Sequence, residues 1–202
     1  IYIVKLQTSA FKSYVHIKNK QICVLIFMKL IILDQDGVIN NSSAVAHKSS
    51  EWSPILGSLE AIAYLNQMGC RVVVASNRSC DRKAMDISAF NAINDKMCKA
   101  VNQVGGRIDA IFLSPQSNIE KYNCGKSLIT MFEEIALRFG ADLNNVPIVG
   151  DELRYLRAAE FVGAIPIMVL TGKGKKTKNA KGLPKGTKSF ADLSSFSDAF
   201  TK

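Results

Sequence analysis

The chain reads as an α/β protein built on a mainly parallel sheet covered by helices on both faces. Three observations predict this. Short apolar runs recur along the body at 29–33, 71–77, 109–114, 146–151 and 165–170. Between them lie longer segments whose apolar residues repeat at helical spacing, which is the signature of β-α-β units. The chain has 202 residues and 48% hydrophobic content, enough for one well-buried domain and too little for two.

Each element has its own warrant. "KLIIL" (29–33) is a strand of the fully buried type. "GSLEAIAYLNQMG" (57–69) puts Leu59, Ile62, Ala63 and Leu65 on one helical face, and Gly69 stops it. "RVVVASN" (71–77) is the second strand. Residues 84–104 set Phe90, Ile93, Met97, Ala100, Val101 and Val104 at helical spacing. "DAIFLS" (109–114) is the third strand, "SLITMFEEIALRFG" (127–140) a helix closed by Gly140, and "VPIVGD" (146–151) the fourth strand. "ELRYLRAAEFVG" (152–163) is a helix, and "IPIMVL" (165–170) is the fifth strand. Residues 37–56 form a polar stretch without period, long for a strand-to-helix connection, as a lid or substrate loop would be.

The net charge of +9 is unevenly placed. Residues 171–188 carry seven Lys and residues 1–27 carry four, with no acid in either, so the remainder is near −2. A solvated lysine-rich segment (172–188) accounts for this better than a nucleic-acid surface on the body. No apolar run approaches the roughly 18 residues that span a bilayer. The five cysteines, Cys23, Cys70, Cys80, Cys98 and Cys124, are scattered and form no CxxC pair. That excludes a disulfide framework and points to a reducing cytoplasm. Residues 1–27 show no period and lack a signal-peptide block, and the first methionine is Met28. The expectation is a reading frame extended upstream of a natural start at Met28, or else an N-terminal element that packs on the domain, with a single domain over 28–202.

The chemistry concentrates where strands end. Asp34 and Asp36 follow the first strand, Ser76 and Asn77 close the second, Ser114 the third, and Gly150 and Asp151 the fourth; Lys126 precedes the helix before strand four. In open parallel sheets the carboxyl ends of strands converge on one crevice. Hard carboxylate oxygens there suit Mg²⁺, with Asp34 and Asp151 as ligands. One carboxylate can serve as a nucleophile through an aspartyl-phosphate, and the second, two residues on, as general acid. Lys126 and the Ser76 hydroxyl can hold phosphoryl oxygens. Each piece alone is common; their order along the chain is not.

These residues resemble the haloacid-dehalogenase-like phosphatases, and within them the heptose-bisphosphate and histidinol-phosphatase branch. "ILDQDGVIN" resembles the first motif, "RVVVASNRS" the second and "IVGDELRYLRAA" the fourth, and "VLTGKGKKT" is also similar. The resemblance spans about 28 to 190. It implies a Rossmann-like three-layer sandwich with a minimal cap. It also implies Mg²⁺-dependent hydrolysis of a small sugar phosphate; from its size, charge distribution and apolar run lengths the chain is expected to be a monomer with no nucleic-acid or membrane partner. Carried over by position, Asp34 is the nucleophile and Asp36 the general acid/base. Ser76, Asn77, Arg78 and Lys126 contact phosphate or substrate. Asp34, Asp36 (through its carbonyl) and Asp151 hold the metal.

The chain also departs from the family. Ser114, Gln116 and Tyr122 stand where zinc-binding Cys, His and Cys are expected, and Cys124 alone remains, so no structural zinc is expected. Gly125 replaces an Arg before Lys126, and Tyr155 replaces the second Asp of the fourth motif. Two other readings therefore stand beside a heptose-bisphosphate phosphatase. One is a phosphatase of histidinol phosphate or another small ester; the other is a decayed, non-catalytic relative.

Overall fold

The computed structural model describes residues 2–6, 29–41, 49–77, 87–113 and 124–200. Each of the five strands expected from the apolar runs is present. They are β2 (Leu30–Leu33), β3 (Arg71–Ser76), β4 (Ala110–Leu113), β5 (Pro147–Gly150) and β6 (Ile165–Val169). Two edge strands join them, β1 (Tyr2–Leu6) and β7 (Lys188–Phe190). The sheet runs β1-β4-β3-β2-β5-β6-β7. All neighbours are parallel except β1, which pairs antiparallel with β4. Sequence periodicity missed β7 because it is a three-residue edge strand whose two leading residues are exposed, so it needs no apolar run.

The helices α1 (Ser58–Gln67), α2 (Ile87–Gln103), α3 (Cys124–Phe139), α4 (Leu153–Phe161), α5 (Gly174–Lys178) and α6 (Leu193–Phe200) complete the fold. Side chains alternate across a strand, so β2 feeds two cores. Ile31 and Leu33 pack with Ile62, Phe90, Val101 and Phe196 of α1, α2 and α6. Leu30 and Ile32 pack with Phe132, Ile135 and Ala159 of α3 and α4. This is the three-layer sandwich that uniformly apolar strands require. No helix among the described residues is long and apolar enough to cross a membrane.

The connections place the site. No separate cap domain stands between β2 and α1 among the described residues; residues 42–48 lie outside them. The chain makes a tight turn at Gly37, and a short helical turn at Ser49–Glu51 returns it to α1. The lysine-rich segment is more ordered than its composition suggests. Most of its lysine side chains are exposed, yet it supplies α5 and leads into β7. Arg157 of α4 anchors it by donating to the carbonyls of Lys181 and Gly182 at 3.0 and 2.9 Å.

Candidate active site

Asp34 is the first residue beyond β2. Its N–H donates to Val149 O at 2.9 Å, which continues the pairing with β5 and sets Asp34 beside the carboxyl end of that strand. The Gln35 N–H donates to Asp34 Oδ1 at 2.8 Å. The chain then turns back on itself. The N–H groups of Ile39 and Asn40 both donate to Gln35 O, at 3.0 and 3.1 Å, and Gly37 N donates to Asn40 O at 2.7 Å. This brings the Asn40 amide to Asp36, where Nδ2 donates to Oδ1 at 2.7 Å. The second carboxylate is thereby held over the turn.

Asp151 follows β5 and is 2% exposed. Its Oδ2 accepts from the backbone N–H of Lys173 at 2.7 Å. Two glycines make room for it. Gly37 has φ +82°, and a Cβ there would lie 2.0 Å from Asp151 Oδ2. Gly172 has φ +53°, and its Cβ would lie 2.2 Å from the same oxygen. Both positions favour glycine by conformation as well as by space. The Thr171 hydroxyl closes the ring by donating to Gly37 O at 2.6 Å. Beside it, Glu152 pairs with Lys173 and Arg154, and these partners hold its carboxyl below the usual range despite its burial.

The electrostatics set Asp34 and Asp151 apart from an ordinary buried acid. Asp109, at the opposite end of the sheet, is also buried, but it accepts from Val72 N–H at 2.9 Å and pairs with Arg107 at 3.1 Å. Asp34 and Asp151 have no ion-pair partner among the described residues. Burial, then repulsion from Asp151 and Asp36, raises the Asp34 carboxyl well above the usual carboxylate range. Burial lifts Asp151 to about 6, against the opposing pull of the Lys173 N–H.

Ser76 ends β3, two residues past Val74, which pairs with Leu33. It is completely buried, and its hydroxyl has no hydrogen-bond partner among the described residues. A polar atom buried without a partner at the carboxyl end of a strand fits a ligand oxygen. Asn77 follows it and is also buried. Lys126 falls in the first turn of α3. Arg78 lies outside the described residues, as do Ser114, Gln116 and Tyr122 of the altered zinc stretch. No three His, Cys, Asp or Glu side chains gather into a metal-binding group among the described residues. Asp34 and Asp151 would offer a divalent ion two side-chain carboxylates, the complement that magnesium uses with water and phosphate oxygens.

The structure adds contacts that sequence reasoning overlooked. Asn40 fixes Asp36, the Thr171–Lys173 backbone cradles Asp151, and Tyr155 lies directly beneath Gly150, where a Cβ would meet its ring at 2.5 Å. Tyr155 is buried, donates from its hydroxyl to Ala75 O at 3.3 Å, and packs edge-on against Phe132. The glycine pattern T-G-K-G at 171–174, directly after β6, was the available signal for the cradle.

A family profile described as HAD-hydrolase-like matches residues 123–196. The D-glycero-beta-D-manno-heptose-1,7-bisphosphate 7-phosphatase of Bordetella bronchiseptica is 46% identical over 173 residues, covering 85% of this chain and 97% of that protein. The enzyme of the same name from Neisseria meningitidis serogroup A is 44% identical, covering 84% of this chain and 93% of its own length. A crystal structure of the B. bronchiseptica D,D-heptose 1,7-bisphosphate phosphatase, complexed with magnesium and phosphate, superposes with a TM-score of 0.79 at 44% identity over 86% of this chain and 98% of that one. With this similarity over nearly its whole body, and with paired carboxylates at the ends of β2 and β5, the chain belongs to the haloacid-dehalogenase-like phosphatases, in the heptose-bisphosphate phosphatase branch.

Proposed function

We propose that this chain hydrolyses the 7-phosphate of D-glycero-D-manno-heptose 1,7-bisphosphate with Mg²⁺ as cofactor. One observation carries the reading: two carboxylates without ion-pair partners among the described residues, the half-buried Asp34 and the buried Asp151, follow β2 and β5, and the orphan hydroxyl of Ser76 ends the neighbouring strand β3. The relatives that share the chain's full body carry that activity in their names, and one was crystallised with magnesium and phosphate.

In this reading Asp34, the Asp36 carbonyl and Asp151 hold Mg²⁺. When bound, the ion neutralises the clustered carboxylates and the phosphate charge. The protein's own steps are these. Ser76 and Lys126 bind the phosphoryl oxygens, Asn77 and Arg78 are further substrate contacts, and Ser76 thereby gains the partner its hydroxyl lacks among the described residues. An oxygen of Asp34 attacks phosphorus, the bond to the sugar oxygen breaks, and Asp36 gives that oxygen a proton. Asp36 then takes a proton from water, whose oxygen attacks the aspartyl-phosphate. Inorganic phosphate leaves and Asp34 is restored. The bond from Asn40 to Asp36 orients this acid over the leaving oxygen.

The test is phosphate release from heptose 1,7-bisphosphate by the full chain with Mg²⁺. Asp34→Asn is expected to abolish turnover while leaving a folded protein. Turnover that survives in that variant would refute the nucleophile assignment, and an inactive wild type would refute the substrate.

A further inference from the structure

We infer that Asn94 of α2 is a positioning residue for the nucleophile, acting through the side chain of Gln35; the inference rests on the reading of Asp34 as nucleophile. Gln35 sits between the two catalytic-loop carboxylates, yet its side chain leaves the crevice and is completely buried against α2. Its Nε2 donates to Asn94 Oδ1 at 3.1 Å and lies 3.8 Å from the sulfur of Met97, one turn further on. Asn94 is itself 3% exposed, while Phe90, Ile93, Met97, Cys98 and Val101 make the rest of that buried face apolar.

Stability alone does not account for the pair. Gln35 Oε1 and Asn94 Nδ2 have no partner among the described residues, and a half-satisfied buried pair costs more than an apolar pair of the same shape. The bond does reach the chemistry. The residue it grips supplies the N–H on Asp34 Oδ1, at 2.8 Å, and the carbonyl that receives both turn N–H groups, from Ile39 and Asn40. Fixing the Gln35 side chain from α2 therefore fixes the backbone on both sides of it. With Oδ1 held by that N–H, Oδ2 is the oxygen presented to phosphorus. A small misplacement of an attacking atom is costly in rate, so the anchor acts on kcat.

The test compares Asn94→Leu, Gln35→Leu and the double variant of the full chain with Mg²⁺. Each is expected to lose about tenfold in kcat with KM within about twofold, and the double is expected to lose no more than either single variant. Thermal stability behaves differently. Each single variant strands a buried amide and melts earlier, while the double strands none and recovers. If kcat recovers along with the melting temperature in the double, or if the single losses multiply, the anchor is only structural and the inference falls. Should a single variant not fold, the double reads kcat by itself. If the wild type releases no phosphate, the proposed function fails, and the Gln35 amide proton resonance decides the inference separately. It should move in Asn94→Leu, which keeps Gln35, toward its position in Asp34→Asn; an unchanged resonance overturns the positioning role.

Discussion

Replacing Asp151 by Asn should stabilise the metal-free protein while destroying its response to magnesium. The magnitude follows from the site. Burial lifts the Asp151 carboxyl from 3.8 to about 6. A folded-state value above the unfolded one means that the folded chain binds this proton more tightly. The ionised carboxylate therefore weakens the fold at neutral pH, and the penalty vanishes as pH falls through about 6 toward the unfolded value. The shift of roughly two pH units corresponds to about 3 kcal/mol. The substitution also removes the repulsion that Asp151 exerts on Asp34, which acts in the same direction. Asn keeps an oxygen to accept the Lys173 N–H, so the cradle survives. For a domain of this size the gain is about 6–12 °C in melting temperature in the presence of a chelator. Thermal denaturation by circular dichroism at about pH 7.5 and about pH 4.5 checks it, because the gap between wild type and variant should narrow to about a third at the lower pH. Added Mg²⁺ should raise the melting temperature of the wild type and leave the variant nearly unmoved. A variant less stable than the wild type at the higher pH without metal would show that Asp151 contributes to the fold as an ion, and would refute the reasoning.

Other perturbations separate the parts of the site. Ser76→Ala removes a buried hydroxyl that has no protein partner among the described residues, so the ligand-free protein should gain up to about 1–2 kcal/mol while KM for the phosphate ester rises; calorimetry and steady-state kinetics read the two effects. Gly37→Ala forces a Cβ to 2.0 Å from Asp151 Oδ2 at φ +82°, and should cost at least about 1–3 kcal/mol and most of the Mg²⁺ affinity, measured by denaturant titration and calorimetric binding. Tyr155→Phe strands Ala75 O and should cost about 1 kcal/mol in a urea melt with no change in metal binding, because the ring still fills the space under Gly150.

Much of this architecture was legible because it is periodic or local. Uniform apolar runs marked the central strands, and Gly69 and Gly140 marked two helix ends. The DxDG and V-G-D stretches were legible as chemistry because acids placed directly after apolar strands are costly to bury unless a ligand neutralises them. What escaped was non-local or exposed. β7 lacks an apolar run, and the lysine-rich stretch hid a backbone N–H that holds Asp151, since composition reports side chains and says nothing of where main-chain donors point.

Residue type and short-range spacing were enough to specify an α/β sheet, to set Asp34, Asp36, Ser76 and Asp151 at the carboxyl ends of its strands, and to make hard oxygen ligands dominate there. Those properties depend on residue type and spacing along short segments. Tertiary packing alone brings Thr171 onto Gly37 across 134 positions, leaves room for one carboxylate between two glycines, and turns Gln35 to Asn94, 59 positions on. These are contacts between segments that meet only once the sheet has ordered its strands, and no local preference encodes them.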